Sequence, residues 1–133
     1  MICAESLYST NRRRDKTLVK YENVDVRVLT RPNDPAEIKW IAMQQGSNIP
    51  PHGHGVSKGH SYVVAGVFEV KVYDPERKQP PSIALYKEGD CFDEPLGTIH
   101  SVKCISGPGV FVNVTTPPLG DTMVFYKESE LLE

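Results

Sequence analysis

Apolar and polar positions alternate along much of this chain, and the alternation has a period of two. Val67-Phe68-Glu69-Val70-Lys71-Val72-Tyr73 shows it best in its second half. Side chains two apart on a strand share a face, so this pattern reads as a strand with one face in a core. Thr17 to Tyr21, Val24 to Thr30, Glu37 to Gln44 and Tyr62 to Val64 show the same alternation or a β-branched enrichment. Ser82 to Tyr86, Val110 to Val114 and Met123 to Tyr126 complete the expected strands. Turn-forming groups separate them, among them Arg31-Pro32-Asn33-Asp34-Pro35, Asp74-Pro75-Glu76, Glu88-Gly89-Asp90 and Gly107-Pro108-Gly109. Only Lys127 to Glu133 is expected to form a short helical turn or to fray. Many short strands divided by Gly and Pro predict an all-β barrel or sandwich.

Composition narrows the picture. The chain has 133 residues, which suits a single domain spanning 1–133. Apolar residues make up 39%, enough to fold around one core. The formal charge is -2, which gives no electrostatic reason to bind nucleic acid or an acidic membrane. Arg12, Arg13 and Arg14 form a short basic run that reads as a solvated surface. No stretch approaches the ~20 apolar residues of a membrane span. Met1-Ile2-Cys3-Ala4-Glu5 lacks the start of a signal peptide, so the expected location is cytoplasmic. Cys3, Cys91 and Cys104 form no CxxC motif and are expected to be buried thiols, not a disulfide.

The strongest chemical signal is histidine. The chain has 4 of them, and His52, His54 and His60 lie close together, with His100 apart. His52 and His54 flank Gly53, and on an extended strand both rings reach one face and one ion. A pair needs a third ligand from another strand. Pro95-Leu96-Gly97 forms a tight turn that delivers His100 to the start of the next strand.

Gly46 followed by His52-x-His54 and closed by Gly66 resembles the first motif of the cupins. Gly89 followed by Pro95-x-Gly97-x-x-His100 resembles the second. The resemblance covers 46–66 and 89–104 and implies a single-domain cupin, a jelly-roll-like double-stranded β-helix barrel with one divalent metal held by His52, His54 and His100. Two positions depart from the pattern. Gly59 stands where the first motif usually carries a glutamate ligand, and Cys104 where the second usually ends in asparagine. Glu94-Pro95-Leu96-Gly97-Thr98-Ile99-His100-Ser101 further resembles the cupin dioxygenases that cleave acetylacetone and dihydroxyacetophenone, which use a three-histidine iron site.

Three neutral imidazoles leave a divalent charge uncompensated, which favours an anionic, bidentate oxygen ligand. Imidazole suits Fe, Zn, Ni or Cu more than Mg or Ca. The resemblance implies an Fe(II) dioxygenase that cleaves a C–C bond of a small diketone or hydroxyketone, with Zn, Ni or Mn as other metals. Two further readings stand beside it: a non-redox isomerase, cyclase or lyase, and a sensory cupin without turnover. Glu94 and His60 are the candidate catalytic residues. Glu94 has three readings: outer support for a metal histidine, a ligand itself, or a solvated side chain. His60 is read as a fourth ligand, a pocket acid or base, or a polar residue at the mouth. Tyr62, Trp40, Phe92 and Cys104, with Met43 and Phe111, are candidate pocket residues or plain core. The expected partners are a small-molecule substrate and a second copy of the chain in a homodimer.

Overall fold

The computed structural model describes residues 22–119 and 123–131; the expected strand Thr17 to Tyr21 lies outside them. Eight strands follow in order: β1 Val24–Val28, β2 Glu37–Met43, β3 Asn48–Gly53, β4 Lys58–Tyr73, β5 Ser82–Lys87, β6 Cys91–Glu94, β7 Ile99–Thr116 and β8 Val124–Phe125. A helical turn, α1 Glu128–Leu131, ends the described chain. No helix among the described residues is long and apolar enough to cross a membrane.

All pairings are antiparallel, and β4 and β7 organise them. Each runs through two strands' worth of sequence and pairs with the other along its whole length, from Lys58↔Thr116 to Tyr73↔Ile99. The first half of β4 pairs β6, and its second half pairs β5. The second half of β7 pairs β2, which carries β1, whereas its first half pairs β3, which carries β8. The sheet therefore folds into two leaves, β1-β2-β7-β4-β6 and β8-β3-β7-β4-β5, joined where β4 and β7 bend.

The bend has a local cause. Register shifts fall between Val63 and Phe68, around Gly66. Gly66 has φ +85, and a Cβ there would press on Gly109 Cα and Ser106 O at 2.7 Å. Extra residues in one strand increase bend and twist, and glycine permits the close backbone approach. Gly107-Pro108-Gly109, expected as a turn between strands, lies within β7 opposite this corner. Tyr62 to Val64 and Val67 to Tyr73 likewise belong to one strand. Alternation cannot distinguish a turn from a bend when the same residues suit both.

The core lies between the leaves. Val26, Ile41, Met43, Ile49, Val63, Phe68, Val70, Phe92, Val102 and Phe111 form one buried cluster with Cys104. Phe68 and Phe111 meet edge to face at 5.1 Å, an arrangement aromatic quadrupoles favour. Of the cysteines, Cys104 is buried as expected, whereas Cys91 is exposed; both are free thiols, and Cys3 lies outside the described residues.

Candidate metal centre

Three histidine rings converge between the leaves. His52 leaves the end of β3, His54 follows just beyond it, and His100 stands near the start of β7, directly opposite His52 in the register. One ligand nitrogen from each lies within 4.8 Å of the others. Ring centroids are 4.3 Å apart for His52–His100, 5.0 Å for His54–His100 and 5.2 Å for His52–His54. All three are buried. Gly97 has φ +81 in the turn before β7.

The electrostatics suit a cation. Burial, then the neighbouring rings, push His52 well below its usual value. Burial is also the main reason His54 falls to about 4, against an opposing pull from Glu94. Both rings are therefore neutral at pH 7, the form that binds metal. His52 Nδ1 lies 2.9 Å from Pro50 O; as the donor there, it leaves Nε2 as the lone-pair nitrogen. His100 Nδ1 is buried without a hydrogen-bond partner among the described residues. Packed imidazoles with an unmet buried nitrogen are unfavourable alone. Around a divalent ion they are an ordinary ligand set, so the residues present fit the metal.

Glu94 is buried, which removes the solvated reading. Its Oε2 lies 3.0 Å from His100 Nε2, and its Oε1 lies 3.6 Å from His54 Nδ1. Asn113 Nδ2 donates to Oε1 and to Ser61 Oγ, each at 3.0 Å. Burial raises the Glu94 carboxyl, but His100, His54 and the Asn113 hydrogen bond outweigh it and hold the group below its usual value. The carboxylate passes over Gly59, its partner across the β4–β6 pair. A Cβ at Gly59 would run into Glu94 Oε1. The absence of a side chain at 59 and the presence of a carboxylate from 94 are thus one arrangement: the acid comes from the neighbouring strand.

A cavity of about 470 Å³, counting its open mouth, adjoins the three rings. Val26, Ile41, Ile49, Val102, Phe111 and Met123 give it apolar walls, and Lys39, Glu94 and Asn113 join the histidines as its polar groups. Phe111, a candidate for either pocket or core, serves both: it belongs to the core cluster and lines the cavity. The other expected pocket residues are elsewhere. Trp40 and Tyr62 face outward and are exposed. Phe92 stacks on Tyr86 in the core at 4.6 Å. Cys104 is buried near Met43 O, apart from the cavity. His60 also stands outside, exposed, with Nδ1 2.5 Å from Asp93 Oδ1. The reason is parity. Gly59, Ser61 and Val63 of β4 face inward, so His60 and Tyr62 face out.

Lys39 and Asn113 escaped the sequence reading. Lys39 shares a face with Ile41 and Met43, so the alternation in β2 contained its signal. Asn113 left none, since an isolated amide in an apolar strand names no partner.

No family model matches the chain. Solved structures do resemble it. KdgF from Halomonas sp. matches at TM-score 0.61 and 20% identity, covering 71% of this chain and 79% of that one. Oxalate decarboxylase from Bacillus subtilis matches at 0.69 and 18%, covering 79% of this chain, which spans only 28% of that enzyme. The Cnp3 cupin domain of Schizosaccharomyces pombe matches at 0.59 and 16%, covering 79% of this chain and 66% of that one. The fold is a cupin barrel. At these identities the likeness extends to the fold alone, and chemistry has to be argued from the cavity.

Proposed function

We propose that this chain is a metal-dependent enzyme, an Fe(II) dioxygenase that cleaves a C–C bond of a small diketone or hydroxyketone. The observation that carries the reading is the convergence of His52, His54 and His100, all buried, on one apolar cavity. A divalent ion held there supplies Lewis acidity and, as Fe(II), the capacity to bring O2 into reaction with a chelated substrate. The protein's own part is to present neutral nitrogens, to exclude water behind Val102 and Phe111, and to hold the Glu94 carboxylate beside His100. Loading the protein anaerobically with Fe(II) and adding pentane-2,4-dione or a 2-hydroxyketone should give O2 uptake at an oxygen electrode. Absence of uptake across such a panel, with iron bound, would count against oxygen chemistry.

A second reading is non-redox proton transfer, and Glu94 favours it. A buried carboxylate fixed by Asn113 is placed to take or return a proton beside the ligand set. Bacillus subtilis oxalate decarboxylase, a structural neighbour, is described with Mn(II) centres, so the metal need not be iron. Turnover with Zn(II) or Mn(II) under argon would select this reading.

A further inference from the structure

Lys39 is the residue whose position least fits a merely structural role. Its side chain is 6% exposed, in a cavity lining that also includes Val26, Ile41, Val102 and Phe111. Lysine is almost never fully buried without a countercharge, because removing an ammonium from water costs several kcal/mol. Glu37 supplies part of that countercharge from the rim, with Oε1 3.7 Å from Lys39 Nζ. The same Oε1 also accepts the Leu119 N–H at 3.2 Å. Among the described residues, Glu37 lies beside Lys39 at the rim, and Glu94 lies beside His100 and His54. Lys39 thus sets a cationic group in the lining of a cavity where poor solvation strengthens every electrostatic interaction.

We propose that Lys39 makes this cavity a site for small anionic chelators: the substrate carries a carboxylate that lies against the Lys39 ammonium while its adjacent keto or hydroxyl oxygen faces His52, His54 and His100. This rests on the metal reading above and sharpens it, from any small ketone to a 2-oxo or 2-hydroxy acid or a close relative. Lys39 and the three rings line the same cavity, so one compact molecule can meet both. The inward side of β2 offers Lys39 and Ile41, and Trp40 faces away. The binding selectivity contributed by β2 therefore comes from charge.

The test uses the full chain loaded with Co(II), whose visible spectrum reports ligands entering the site. The probes are pyruvate and butane-2,3-dione, nearly equal in size and differing by a carboxylate oxygen in place of a methyl group. Wild type should bind pyruvate at least about tenfold more tightly, the scale of a charged hydrogen bond. Lys39→Met should erase most of that preference with Co(II) content and butane-2,3-dione affinity unchanged, and Lys39→Arg should keep part of it. Equal affinities in wild type would overturn the proposal without any variant. So would a preference that survives Lys39→Met or, if that variant folds poorly, Lys39→Gln; Lys39 would then only tie β2 to Glu37. Failure of Co(II) to bind wild type would instead bring down the metal reading, and this inference with it.

Discussion

The two leaves of the barrel serve one cavity in different ways. The β3-bearing leaf brings His52, His54 and His100, two of them neighbours in sequence and the third delivered by a tight turn. The facing leaf brings Lys39, Glu94 and Asn113 from β2, β6 and the far half of β7, residues with no local motif in common. Ligands can be gathered by short-range geometry, because an extended backbone already aligns alternate side chains. A polar support assembled from separate strands exists only once those strands pair.

If that division is right, His100→Ala should have the largest effect on metal binding. Losing an outer support typically costs about 10–100-fold in metal affinity. Losing a ligand should cost more than about 100-fold, measured by competition with a chelator. An effect no larger than that of Asn113→Ala would break the division.

Acid should act next, and through the histidine leaf. In metal-free protein the folded His54 falls to about 4 from an ordinary 6.5, so the unfolded chain binds that proton more tightly. Stability from the neutral ring is complete above about pH 6.5 and is lost as pH falls towards 4. A shift of that size is worth roughly 3 kcal/mol. Urea unfolding of chelated protein between pH 7 and pH 4 should show the decline, and bound metal, held only by neutral rings, should add stability at pH 7 and steepen the loss in acid.

On the facing leaf, Asn113→Ala strips a donor from Glu94 Oε1 and from Ser61 Oγ. Leaving buried acceptors unmet should cost about 1–3 kcal/mol in urea unfolding. Metal affinity should fall by about tenfold as the carboxylate loses its orientation. Unchanged affinity would mean that Glu94 needs no such support. The smallest effect belongs outside both leaves' inner faces. His60→Ala removes an exposed pair with Asp93, worth less than about 1 kcal/mol, and should leave metal content untouched. A loss of metal there would return His60 to the centre.

What could be read from the chain, and what could not, follows the same line. The period-two pattern is enough for an all-β fold, and the His52-x-His54 pair with the Pro95 to His100 turn is enough for the histidine trio. Both are local properties of an extended backbone. The face each strand turns to the cavity is not local. Within β2, Lys39 and Trp40 are adjacent, and hydrophobicity alone assigns the tryptophan to the pocket. Pairing to β7 turns it outward and buries the lysine. Gly59 and Glu94 make the same point from two strands. In sequence they are a missing ligand and an unassigned acid; across the β4–β6 pair the second occupies the space the first leaves open. A strand's alternation specifies two faces, and only its neighbours decide which one is inside.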